Sequence, residues 1–160
     1  MKRKWMLCCA AAILLLLAAG MAEGTAGQPA LDSRSGKEEK EEQTGMKMKI
    51  GETAVEVAWE DNDSVAALRE LAQEGLTVRM SMYGGFEQVG PIGCSLPRRD
   101  EETVTSSGDV VLYAGNQIVV FYGSNSWAYT RLGKITDQSE DGLRALLGHG
   151  DVTLTLSAGE

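Results

Sequence analysis

Histidine, cysteine and proline are scarce in this chain, and each shortage removes a class of chemistry or architecture. Its 160 residues contain one His, three Cys and three Pro. The lone His149 stands between Gly148 and Gly150. A hydrolytic triad needs a base held beside a nucleophile, and a Gly-His-Gly run is a poor holder. One His and one Cys in the folded part form no spaced set of metal ligands. Cys8 and Cys9 lie in an apolar run near the start, leaving Cys94 alone in the remainder. A single thiol makes no internal disulfide, so the fold has to rest on core packing. Cys94 sits in a Gly- and Pro-containing loop without a His or basic cluster to lower its pKa, and reads as an incidental loop residue. No glycine-rich loop opens a helix in the manner of a phosphate cradle, because the Gly84-Gly85 and Gly123 turns join strand-like segments. Nothing in the sequence asks for a cofactor or a metal, and no catalytic residue is nominated.

Positive charge is also in short supply. Fifteen Lys and Arg face 23 Asp and Glu. Three of the basic residues, Lys2, Arg3 and Lys4, precede the apolar run Leu7 to Ala19. A positive n-region, an apolar stretch shorter than a membrane span and small residues after it make an export signal, residues 1–22. Gly20 and Ala22 suit cleavage before Glu23, with Gly24 and Ala26 as a second option, and an uncleaved anchor is the alternative. Met21 follows Gly20 where a lipoprotein needs Cys, so a released rather than lipidated protein is expected, secreted or in the cell envelope. From Glu23 onward the net charge is −11. That balance argues against nucleic acid or anionic lipid as a partner. Residues 23–45 are almost free of apolar side chains and include KEEKEEQ. They cannot bury enough surface to offset chain entropy, and read as a disordered charged linker.

Residues 46–160 carry the folding information. Met46 to Ile50 and Thr53 to Trp59 alternate in polarity around Gly51-Glu52, a hairpin signal. Asp61 to Ser64 precedes a helix running to about Glu74, with Val65, Leu68, Leu71 and Ala72 as its apolar stripe and Gly75 at its end. The acidic cluster lacks the glycine and distal glutamate of a calcium loop, and helix capping accounts for it better. Leu76 to Tyr83 alternates strictly. An extended loop through Pro91 and Pro97 and a charged turn, Arg98 to Glu102, follow. Further strands are expected at Val110 to Tyr113, Gln117 to Tyr122, Trp127 to Ile135 and Asp151 to Leu156. A second helix is expected near Ser139 to Leu147. The total is about eight strands and two short helices, mainly β. Closing the sheet would hide its edges, which favours a barrel.

The stretch Tyr83 to Ile135 holds most of the aromatic residues, and its motifs carry a family resemblance. They are Tyr83-Gly84-Gly85-Phe86-Glu87, Leu96-Pro97, Gly108-Asp109-Val110-Val111-Leu112-Tyr113, Gly115-Asn116-Gln117, Phe121-Tyr122-Gly123-Ser124-Asn125-Ser126-Trp127 and Tyr129-Thr130-Arg131-Leu132-Gly133. In this order they resemble the bacterial cyclophilin-like fold family. The resemblance implies a closed eight-stranded β-barrel with a helix at each end. It carries no settled activity. Related proteins are often exported, or joined to flavodoxin-like domains, which offers a flavodoxin-type redox partner as one reading. True cyclophilins are peptidyl-prolyl isomerases that use an Arg against the prolyl amide. Arg79 and Arg131 are the available cations, yet neither lies in a matching motif, so the resemblance carries fold rather than catalysis.

A binding surface is what remains. Tyr83, Phe86, Glu87, Tyr122, Asn125, Trp127, Tyr129 and Arg131 combine flat apolar area with hydrogen-bonding groups and fall on two loop-and-strand segments, 83–87 and 122–131. The opposing reading is structural: Phe121, Trp127 and Phe86 would fill the barrel, and Asn116 and Asn125 would serve turns. The leading functional expectation is an exported, non-catalytic domain that binds a short peptide or small ligand in a groove beside the barrel. Prolyl isomerisation is the alternative.

Overall fold

The computed structural model describes residues 45–159. The expected export segment and residues 23–44 of the expected linker lie outside them. In chain order the elements are β1 (Met46–Ile50), β2 (Thr53–Val55), β3 (Val57–Trp59), α1 (Asp63–Gln73), β4 (Leu76–Tyr83), β5 (Glu87–Pro91), β6 (Glu101–Val104), β7 (Asp109–Tyr113), β8 (Gln117–Phe121), β9 (Ser126–Ile135), α2 (Glu140–Leu147) and β10 (Val152–Ala158).

Polarity alternation does what it should. In β1, Met46, Met48 and Ile50 are buried while Lys47 and Lys49 are exposed. The wall runs β2-β1-β10-β4-β5-β8-β7-β9-β3, all antiparallel, with β6 paired to β9 off this path. β2 and β3 stand at opposite ends of that order, yet only Glu56 separates them in the chain. One stretch therefore pairs with β1 through its first half and with β9 through its second. At the switch, Thr136 N donates to Glu56 O at 2.9 Å. The result is a nearly closed barrel. Its path counts nine strands rather than about eight: 53–59, read from sequence as one strand, breaks in two where it changes partner, and β5 joins the strands read there.

Two further strands escaped the sequence reading. Glu87–Pro91 was expected as loop because Gly90-Pro91 reads as a breaker. It is β5, paired with β4 on one side and β8 on the other. Gly90 is what admits it: a Cβ there would lie 2.5 Å from Val78 Cγ1 and 2.7 Å from Arg79 O. The expected charged turn, Arg98 to Glu102, partly forms β6. β9 extends beyond the reach of β7, and β6 fills that open edge from Glu101↔Tyr129 to Val104↔Ser126.

Both helices start on side-chain caps. Asn62 Oδ1 accepts from Val65 N at 3.0 Å, and Ser139 Oγ accepts from Gly142 N at 3.1 Å. Val65, Leu68 and Ala72 of α1 and Leu143 and Leu147 of α2 join the interior cluster with Met48, Met80, Leu112, Ile118, Leu132, Leu154 and Leu156. Gln88 of β5 is fully buried, and its amide donates to Leu147 O and Gly150 O, each at 2.6 Å. That side chain satisfies the end of α2 from inside the wall.

β7 and β8 are buried on both faces. Val110, Leu112, Ile118 and Val120 face the interior, while Val111, Val119 and Phe121 belong to a second cluster with Tyr129, packed by Phe86 and Val89. Opposite faces of one strand cannot share a core, so the second cluster lies on the outside of the wall. It is the base of the candidate site. Because Gly90 sets how closely β5 meets β4, Gly90→Ala should lower stability by about 1–3 kcal/mol, read from the urea midpoint. An unchanged midpoint would show that the crossing has room to relax.

Candidate functional site

Cross-strand register sets out the outer face. Tyr83 pairs with Glu87, and Glu87 with Phe121. Val89 pairs with Val119, Val119 with Val111, and Gln117 with Tyr113. Partners in an antiparallel sheet share a face, so these side chains stand together. Above them lies a cavity of about 310 Å³. Its rings are Tyr83, Tyr113, Trp127 and Tyr129, its base is Glu87, Val89 and Val119, and Gln117 and Asn125 supply amides.

The rings are held by contacts beneath and beside them. Tyr129 packs edge-on against Phe121, with centroids 5.7 Å apart, and against Tyr113 at 6.1 Å. Asn125 Nδ2 donates to the Tyr129 hydroxyl at 3.0 Å. Asn125 is itself fixed: its N donates to Thr105 Oγ1 at 2.9 Å, and its carbonyl accepts from Thr105 N at 2.8 Å. The 83–87 and 122–131 segments meet through Phe86 O, which accepts from Tyr122 N and Gly123 N at 2.9 and 3.0 Å. Tyr83 and Trp127 are the exposed rims, 67% and 57% accessible.

Glu87 is the unusual member. It is 6% exposed, and its Oε2 has no hydrogen-bond partner among the described residues. Burial pushes its carboxyl from 4.5 up to about 7. The same burial raises the Tyr129 phenol, the Glu87 charge raises it further, and the Asn125 bond opposes both. Among the described residues, no Lys, Arg or His lines the cavity.

Five of the eight nominated residues, Tyr83, Glu87, Asn125, Trp127 and Tyr129, line this cavity. Phe86 packs beneath it. Tyr122 turns inward to the interior cluster, 4% exposed, with its hydroxyl unpartnered among the described residues. Arg131 lines a second, polar cleft of about 380 Å³ with Glu60, Asn62 and Arg99, on the other side of Tyr129, which borders both. Cations there are engaged: Arg131 with Glu60 at 3.7 Å and Asp109 at 3.4 Å, and Arg99 with Glu101 at 3.2 Å. Neither Arg79 nor Arg131, the cations an isomerase reading offers, lines the aromatic cavity. The sequence reading missed Val89, Tyr113, Gln117 and Val119. Tyr113 and Gln117 flank the Ala114–Asn116 turn, and their pairing across it was the available clue. The two valines sit in apolar runs that give no hint of facing outward. Of the three rings expected as filling, Phe121 is fully buried and Phe86 half-buried, both outside the barrel interior, and Trp127 is exposed.

The sign of the Glu87 effect follows from its raised pKa. The folded state keeps the proton up to about pH 7, whereas the unfolded chain releases it near 4.5. Protonation therefore stabilises the fold, and that contribution is lost as pH rises between the two values. Glu87→Gln does not titrate. Its stability relative to wild type should rise by about 2–3 kcal/mol from acid to pH 8, measured by urea unfolding across pH. A difference that stays constant with pH would count against a buried, shifted carboxyl.

The chain belongs to the cyclophilin-like family: the model of that family matches residues 48–157, nearly all of the barrel. No curated protein and no solved structure matches it.

Proposed function

We propose that this member of the cyclophilin-like family is an exported, non-catalytic binding domain, and that the aromatic cavity on the outside of its wall is where a short peptide or small ligand docks. One observation carries the reading: five residues nominated for recognition from sequence line a single concavity on a rigid sheet. Concave sites with mainly apolar and aromatic lining and a few placed polar groups are the ordinary form of ligand pocket. Tyr83 and Trp127 leave large apolar surfaces open to water, a cost that an occupant would offset. Two independent loop segments, pinned to each other at Phe86 O and to the sheet, hold the rims.

Export is the second part of the proposal. It rests on Lys2, Arg3 and Lys4 ahead of the Leu7 to Ala19 run, with residues 23–45 as a charged spacer.

In a fragment screen followed by NMR, ligands should perturb Asn125 and Tyr129 resonances. Trp127→Ala and Tyr83→Ala should weaken them at least about tenfold, the loss of one good aromatic contact. Arg131→Ala, in the other cleft, should leave them unchanged. Hits indifferent to both aromatic substitutions would defeat the docking site. For export, the mature protein recovered outside the cytoplasm should begin at Glu23. Retention of residues 1–22 would favour the anchor.

A further inference from the structure

Two acids are buried among the described residues, Glu87 and Asp109. Asp109 is fully engaged: Lys134 Nζ donates to it at 3.0 Å, Arg131 Nη2 at 3.4 Å and Ser106 N at 2.7 Å. Glu87 has no such company, and its Oε2 is left without a partner. We propose that the aromatic cavity takes an organic cation, an ammonium-bearing small molecule or side chain, with the Glu87 carboxylate as its counter-charge. The proposal rests on reading this cavity as a binding site and names what it binds.

Three observations favour a cation over a neutral or anionic occupant. Among the described residues, Glu87 is the one charged side chain in the lining, and no basic residue there competes for it. A buried carboxylate without a partner is costly, and an incoming positive charge relieves that cost where a neutral group does not. Tyr83, Tyr113, Trp127 and Tyr129 surround the cavity, and aromatic faces attract ammonium groups, Trp most of all. At longer range, sixteen acidic residues face nine basic ones over the described chain, a field that draws cations in.

The proton balance follows. Empty, the Glu87 carboxyl holds its proton up to about pH 7. A bound cation favours the ionised form, so binding below that pH expels the proton to solvent. The ionisable groups that line the cavity with Glu87 are Tyr83 of β4, Tyr113 of β7 and Tyr129 of β9; Tyr122, turned inward after β8, also feels the Glu87 charge, while β8 itself contributes none. Burial pushes the phenols of Tyr122 and Tyr129 upward, away from neutrality. Arg144 of α2 acts on Tyr122, and Arg131 and Lys134 of β9 are turned to Asp109. Near neutral pH, Glu87 is therefore the group whose titration the binding should report.

Choline and its uncharged carbon analogue, 3,3-dimethylbutan-1-ol, test the proposal on the full chain by NMR titration. At pH 8 choline should bind at least about tenfold more tightly, and its affinity should rise about tenfold from pH 6 to pH 8, as expected for a site that needs one group of pKa about 7 ionised. Glu87→Gln should remove the preference while leaving the alcohol bound. Trp127→Leu, at an exposed position that does not threaten the fold, should weaken choline more than the alcohol. If the alcohol binds as tightly as choline, or if Glu87→Gln keeps the preference, the cation proposal is overturned and the docking site stands. Affinity that falls with rising pH also overturns it, and would mark Glu87 as a neutral donor to a carbonyl. If choline is silent while other fragments shift the same resonances, the proposal fails alone. If nothing shifts them, both readings fail.

Discussion

Burial of β7 and β8 on both faces is the constraint from which the rest of this molecule follows. A barrel of this size needs only one apolar face per strand, the one turned inward. Here Val111, Val119 and Phe121 add a second apolar face, and water has to be kept from it. Tyr129, Phe86 and Val89 do most of that covering. The cover is incomplete, and the opening it leaves is the cavity. The candidate site is thus the unfinished margin of a second, outer core rather than a hole in the first.

That origin explains the chemistry of the site. Glu87 projects from β5 at the place where the outer cluster ends, between Tyr83 and Phe121 in the cross-strand register. It shares the desolvation of the cluster without sharing any hydrogen-bond partner for its Oε2. Its strand neighbour Gln88 faces the other way and spends its amide on Leu147 O and Gly150 O. Two adjacent polar residues on one strand therefore do different work, although the Gln88 amide oxygen, like Glu87 Oε2, has no partner among the described residues. Gln88 closes backbone groups at the end of a helix, and Glu87 is left with an open valence at the mouth of an aromatic cavity. Asp109, as deeply buried, shows that this wall can satisfy a carboxylate fully when two cations and a backbone amide are brought to it.

Legibility from sequence divides along physical lines. Alternation, caps and turn residues report local preferences, so β1, β4, both helices and the Gly84-Gly85 turn were readable. β5 was not, because Gly90-Pro91 carries the local signature of a breaker. Only the approach of β4 turns that glycine into a requirement. β6 was not readable either, since its pairing depends on the length by which β9 overshoots β7. Recognition residues behaved likewise. Five nominated side chains converge, because they flank turns that hairpin geometry folds onto one face. Tyr122 and Arg131 go elsewhere, Tyr122 inward and Arg131 to a cleft of paired charges, since ring content and charge do not say which face of a wall a side chain will meet.

By itself the sequence determined a mainly β chain with two capped helices, the family it belongs to, and an acidic balance. These follow from short-range periodicity and composition, which the linear order contains. Tertiary structure alone decided that one strand would split its pairing to bring the wall nearly to closure, that a second cluster would form outside it, and that Glu87 would be stranded there among rings. Each of those depends on which residues far apart in the chain come to lie side by side, and burial, unlike polarity, is a property of that company.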